Sequence, residues 1–195
     1  LKYKFMNNPQ SLIHGDLHSG SIFVNDSKTK VIDPEFAFYG PIGYDVGNVV
    51  GNLFFSYIYT EIMGENKDDK NNFLSWLEIT ISEIIDKFIE KFDIAYDNLV
   101  IDPVANNELY KKWMIDSILE DTAGMAGTEI IRRTIGDSKV IEIDSIVNIE
   151  DRVLADKFLI LLGKALIKER YTIKTGKDYI KLLNRIKNHF KEVGE

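Results

Sequence analysis

Residues 11–45, SLIHGDLHSGSIFVNDSKTKVIDPEFAFYGPIGYD, gather most of the groups in this chain that could do chemistry. They hold two histidines, His14 and His18, and carboxylates at Asp16, Asp26, Asp33, Glu35 and Asp45. In "DPE" the proline fixes its own φ and pushes Asp33 towards an extended conformation. In an extended chain residues i and i+2 project to one side, so Asp33 and Glu35 are expected to point the same way. Two hard carboxylates so placed suit Mg²⁺, which takes one or two protein carboxylates and completes its shell with phosphate oxygens and water. A solvated turn accounts for the same three residues equally well, because Asp-Pro commonly opens turns.

In "HGDLH", His14, Asp16 and His18 alternate, which makes a His-Asp-His metal site conceivable. No obvious further ligand cluster accompanies it. The better reading places Asp16 as a general base on a loop, with Gly15 and Gly20 permitting tight backbone. His14, beside an apolar stretch, reads as a hydrogen-bonded structural histidine; His18 fits either a structural or a substrate-facing role. The order is His-x-Asp, strand, turn, strand and acidic pair, with Asp16 and Asp33 seventeen residues apart. That is the layout of kinase catalytic and metal loops, in which one Asp takes the hydroxyl proton and a second holds Mg²⁺.

The elements that must position these groups follow from periodicity. "SLI" is a short strand, and "SIFV" (21–24) and "KVI" (30–32) flank the turn-rich "NDSKTK" as a hairpin. After Gly43 the pattern turns helical. Residues 44–63 are mostly apolar, as in a buried helix. From 69 to 92 an apolar stripe recurs at helical spacing through Phe73, Leu77, Ile81, Ile84, Ile85 and Phe88. A long helix is expected from a cap near Asn106 to a stop near Gly136, with Gly124 and Gly127 marking a kink or close contact. Another is capped at Asn148, and a last one begins near 176. The expected fold is mainly α with a small β-hairpin (α+β): catalytic and metal loops at 11–45, and a helical core at 44–195.

Composition narrows the class. The 195 residues are 45% hydrophobic and 28% charged, as in a soluble globular protein. The formal charge of −7 argues against nucleic acid as a partner, and no apolar run approaches the roughly 20 residues of a membrane span. From Lys164 onward nine Lys and Arg stand against four Asp and Glu, which reads as a solvated basic helix face. The absence of cysteine excludes thiolate metal sites and fits a cytoplasmic location, and no leader of the secretory type is expected.

"HGDLHSGSIF" and "VIDPEFAFYGPIGYDVGN" resemble the 5-methylthioribose kinase family, within the wider aminoglycoside phosphotransferase and choline kinase group. The wider group usually carries Asn five residues after the catalytic Asp; here Ser21 stands there. "DPEFAFYGP" is the methylthioribose kinase form, and "AGTEIIRRTIG" (126–136) is a third match. The resemblance is strong at 11–57 and 123–136 and weaker elsewhere. It implies the C-terminal lobe of a protein-kinase-like fold, spanning 1–195. It also implies a role for each matched residue. Asp16 is the base in contact with the sugar hydroxyl. Asp33, Pro34 and Glu35 form the nucleotide segment, with Asp33 and Glu35 as Mg²⁺ ligands. Asp45 braces the catalytic loop near His14, and Arg132 and Arg133 belong to the sugar site. Adjacent helical residues diverge by about 100°, so the two arginines are not expected to reach one ligand together easily; as cations in the last turn of a helix they also have a purely structural explanation.

The implied reaction moves the ATP γ-phosphoryl to the anomeric hydroxyl of 5-methylthioribose, in methionine salvage, with ATP and the sugar as partners and a homodimer as one candidate assembly. Other expectations are a kinase for an aminoglycoside or choline-like alcohol, which Ser21 and "DPE" disfavour, and a non-catalytic binding module. No G-x-G-x-x-G and no lysine on a long strand precede His14. The N-terminal nucleotide-binding lobe is therefore expected to be missing, and the chain alone to be inactive.

Overall fold

A computed structural model describes residues 1–193. Helix α1 (Lys2–Asn7) leads into strand β1 (Ser11–Ile13). A 3-10 turn (Ser19–Ser21) follows, then β2 (Ile22–Val24), β3 (Thr29–Val31) and β4 (Phe38–Gly40). The rest is helical: α2 (Ile42–Met63), α3 (Lys67–Leu99), α4 (Glu108–Ile135), the single turn α5 (Ile141–Asp144), α6 (Ile149–Glu169) and α7 (Gly176–Val193). Among the described residues no helix is long and apolar enough to cross a membrane.

The hairpin forms as expected, with β2 antiparallel to β3 and Phe23 opposite Lys30. Its turn is closed by the Asn25 side chain, which accepts from Ser27 N at 3.0 Å and Lys28 N at 2.8 Å. A second antiparallel ribbon was not expected. It pairs β1 with β4, Leu12 opposite Tyr39. The two ribbons bracket the loops that carry Asp16 and Asp33.

Asparagine side chains start three of the long helices by accepting orphan backbone N–H groups. Asn66 caps α3, Asn107 caps α4 one residue later than expected, and Asn148 caps α6. Helix α4 runs through the centre of the core, with α2 on one side and α6 on the other. Small residues let it do so. A Cβ on Gly127 would stand 2.5 Å from the Gly163 carbonyl of α6, and one on Gly47 would stand 2.7 Å from the Thr122 carbonyl of α4. Gly127 thus marks a close helix contact, one of the two alternatives its position offered. Around this axis Phe54, Phe55, Ile58, Leu77, Ile81, Ile130, Leu159, Leu162 and Leu183 are buried.

Helix α1 lacks a sequence signal because it is short. It docks through Lys4, whose Nζ lies 2.8 Å from Oδ1 of the fully buried Asp121 on α4. Neither Asp121 oxygen receives a well-directed hydrogen bond, so the pairing is one of charge. Beside it Phe5 packs edge-on to Phe38, with ring centres 5.3 Å apart, and against Tyr44 at 4.9 Å. Both of those residues lie in or just after β4.

Candidate active site

The loop after β1 turns sharply at Gly15, whose φ of +86° is readily reached only without a side chain. A Cβ there would also run into the Phe36 carbonyl. Two residues hold the loop. Asp45, in the first turn of α2, accepts from His14 N at 2.6 Å and from Gly15 N at 3.0 Å. The helix N-terminus favours a carboxylate there. Burial pushes the Asp45 carboxyl above its ordinary range, while the two backbone hydrogen bonds oppose that shift. On the other side His14 Nε2 lies 2.8 Å from the Ile32 carbonyl, and its Nδ1 accepts from Asp16 N at 3.4 Å. Nε2 is then the protonated nitrogen, and His14 ties the Asp16 loop to the end of β3.

Asp16 projects from this frame with its side chain about one-third exposed. His18 Nδ1 accepts from Gly20 N at 3.1 Å, which leaves the neutral ring's proton on Nε2. That nitrogen lies 3.3 Å from the Ser21 hydroxyl and 3.7 Å from Asp16 Oδ2. His18 therefore both shapes the 3-10 turn and neighbours the Asp16 carboxylate. Ser21 is buried, and its hydroxyl also donates to the Asp16 carbonyl at 3.5 Å. At that position Ser21 serves the loop.

An open pocket of about 710 Å³ lies over Asp16. Phe5, Phe36, Phe38 and Tyr44 line it with aromatic surface, and Arg132 and Arg133 bring charge. Arg133 Nη2 stands 3.9 Å from Asp16 Oδ1. The expected divergence of the two arginines is overcome, because both are bent back onto Glu129. Arg132 donates to Glu129 Oε2 from Nε at 2.9 Å and from Nη2 at 2.6 Å; Arg133 Nε donates to Oε1 at 2.8 Å. Glu129 escaped the sequence reading. Its signal was present in "AGTEIIRR": a lone carboxylate in an apolar turn, three and four residues before the two arginines.

Asp33 and Glu35 are exposed and stand outside this pocket's lining. Neither makes a hydrogen bond or ion pair among the described residues. The extended conformation expected at Asp33 is not adopted, since its φ is +67°. The chain must turn there between β3 and the Pro34–Ala37 turn, in which Ala37 N donates to the Pro34 carbonyl at 3.0 Å. Asp tolerates left-handed backbone better than most residues do. Among the described residues no group of three or more His, Asp or Glu side chains could enclose a metal ion, so a self-contained protein cage such as His-Asp-His is absent. Two free carboxylates on a turn do fit a cation that takes its remaining ligands from phosphate and water.

Residues 4–64 match the phosphotransferase enzyme family. Over 185 residues the chain is 34% identical to the methylthioribose kinase of Bacillus pumilus (strain SAFR-032), covering 95% of this chain and 45% of that protein. It is 40% identical over 167 residues to the methylthioribose kinase of Bacillus cereus (strain 03BB102), covering 86% of this chain and 40% of that one. The methylthioribose kinase of Bacillus mycoides (strain KBAB4) is 39% identical over the same shares. The chain thus spans less than half the length of the curated relatives it matches.

Proposed function

From its homology to methylthioribose kinases along most of its length, we propose that this chain is the helical catalytic lobe of a small-molecule kinase. The enzyme transfers the ATP γ-phosphoryl to the anomeric hydroxyl of 5-methylthioribose, in the cytoplasm, as a step of methionine salvage. One observation carries the reading beyond homology: Asp16, on a loop held by Asp45 and His14, faces the same pocket as two arginines fixed by one carboxylate.

Each residue then has a task. Asp16 orients the acceptor hydroxyl and takes its proton at a carboxylate oxygen as the new bond forms. Arg133, next to it, offers positive charge to the negative charge that develops on the reacting oxygens. The aromatic wall excludes water from one side of the acceptor. Asp33 and Glu35, with Pro34 between them, would hold Mg²⁺, and the bound ion would supply positive charge to offset that of the phosphate oxygens. Cover for the phosphates and a clamp for adenine fall to the part of the relatives' length that this chain does not span.

The test is ADP release by the natural protein carrying these residues, with Mg²⁺, ATP and, in turn, methylthioribose, choline and an aminoglycoside. Turnover with methylthioribose at an ordinary kinase rate, about 1 to 100 per second, is expected, with the other alcohols far behind. Turnover with choline or the aminoglycoside instead, or with none of the three, overturns the reading.

A further inference from the structure

Glu129 is the least expected group near the pocket. It sits on α4 where that helix meets α2, and a Cβ on Gly51 of α2 would lie 3.4 Å from the Glu129 Cβ. Its side chain is 4% exposed. A carboxylate at such a place is costly unless it is paired and hydrogen-bonded. An ordinary Glu–Arg staple of a helix lies on the exposed face, where the carboxylate keeps its water. Glu129 gives up that water and takes three guanidinium hydrogen bonds instead.

The pattern of those bonds is directional. Glu129 engages Nε of both arginines and Nη2 of Arg132. Arg132 Nη1 and both Nη atoms of Arg133 make no hydrogen bond among the described residues. Gripped at the Nε edge, both arginines keep free N–H groups and line the pocket that holds Asp16, with Arg133 Nη2 standing 3.9 Å from Asp16 Oδ1. Without Glu129, neighbouring arginines on one helix would be free to swing apart.

We propose that Glu129 is a positioning residue. By holding Arg132 and Arg133 at their Nε edges, it aims their remaining N–H groups at the oxygens of a sugar or phosphosugar beside Asp16. The identity of that ligand rests on the function proposed above; the aiming itself does not.

Two measurements test it. The first uses this chain and nitrogen-15 NMR of the arginine Nε–H groups, with inorganic phosphate and then ribose 1-phosphate as probes. In the native chain the Arg132 and Arg133 Nε–H signals should be slow to exchange, and the probes should shift them. In Glu129→Gln both signals should broaden into exchange with water, and probe affinity should fall about tenfold or more. The second uses the natural protein. There Glu129→Gln should lower kcat/KM for the sugar by roughly 10- to 100-fold, the scale expected of misplaced binding groups, and leave the KM for Mg-ATP unchanged. Glu129→Asp should recover part of the loss. In an Arg132→Ala, Arg133→Ala background Glu129→Gln should cost nothing more.

Unchanged Nε–H signals and unchanged probe affinity in Glu129→Gln would overturn the proposal. So would a Glu129→Gln penalty that persists in full without the arginines, since that is the mark of a helix-packing role. A native protein that does not phosphorylate methylthioribose rejects the proposed function, and the NMR measurement still decides the role of Glu129.

Discussion

Asp45 is held by two backbone N–H groups and is nevertheless raised above the ordinary carboxylate range, because burial outweighs them. The sign of its linkage follows. A carboxyl whose folded pKa is raised binds more proton in the folded state, so its contribution to stability is present at low pH and is lost as pH rises through the raised value. Asp45→Asn removes that titration. It also leaves one of the His14 and Gly15 N–H groups without an acceptor, at a cost of about 1 to 3 kcal/mol. The difference in stability between the native chain and Asp45→Asn should therefore widen on acidification from pH 7 towards the ordinary carboxylate range. Denaturant titrations at several pH values measure it, and a difference that narrows as pH falls would contradict the burial argument.

At the scale of elements, the last helix carries its own test. Asp178, in the first turn of α7, accepts at Oδ2 from Thr175 Oγ1 at 2.8 Å and from Thr175 N at 3.0 Å. Burial pulls its carboxyl upward, but hydrogen bonds from Lys181, Thr175 and the Lys174 backbone outweigh that and hold it down at about 2. Its contribution is present above the unfolded carboxylate pKa and fades as pH falls through about 2. Asp178→Ala should cost about 1 kcal/mol at neutral pH, as the loss of a helix cap does. The difference between the two chains should shrink as pH falls towards about 2; a penalty independent of pH would point to packing instead. The long helices were legible in the sequence because apolar residues recur at 3.6-residue spacing, and Asn148 was legible as a cap because it precedes such a run. Strand β4 was hidden. Its "FYG" lies inside the "DPEFAFYGP" motif, and its partner β1 stands on the far side of the hairpin, so only the folded chain brings them together. The extended backbone expected at Asp33 was not adopted because a local proline rule met a tighter demand, the turn after β3. Glu129 was overlooked because a carboxylate in an apolar stretch acquires meaning only once two arginines fold back onto it.

For the whole molecule, the question is what this chain can do by itself. Its helices enclose a common core around α4, so it should unfold cooperatively in denaturant. Phosphoryl transfer is a different matter, because it depends on positioning and charge stabilisation at the phosphates. The carboxylates at 33 and 35 lie open on a surface where Phe23, Val24, Val31 and Phe36 are also exposed. Nothing described covers a nucleotide there. The chain alone, given Mg²⁺, ATP and methylthioribose, should release no ADP above background in a coupled assay. Turnover near about 1 per second would show that these residues contain a complete nucleotide site.

The central claim is that Asp16 serves as the base of a kinase site. It is tested most directly by kcat of the natural protein and its Asp16→Asn variant, with Mg-ATP and methylthioribose at saturation. kcat is expected to fall about 10² to 10⁴-fold, with Mg-ATP affinity nearly unchanged because Asp33 and Glu35 stand outside the pocket that Asp16 lines. A variant within about threefold of the native rate, far short of a general-base effect, would contradict it.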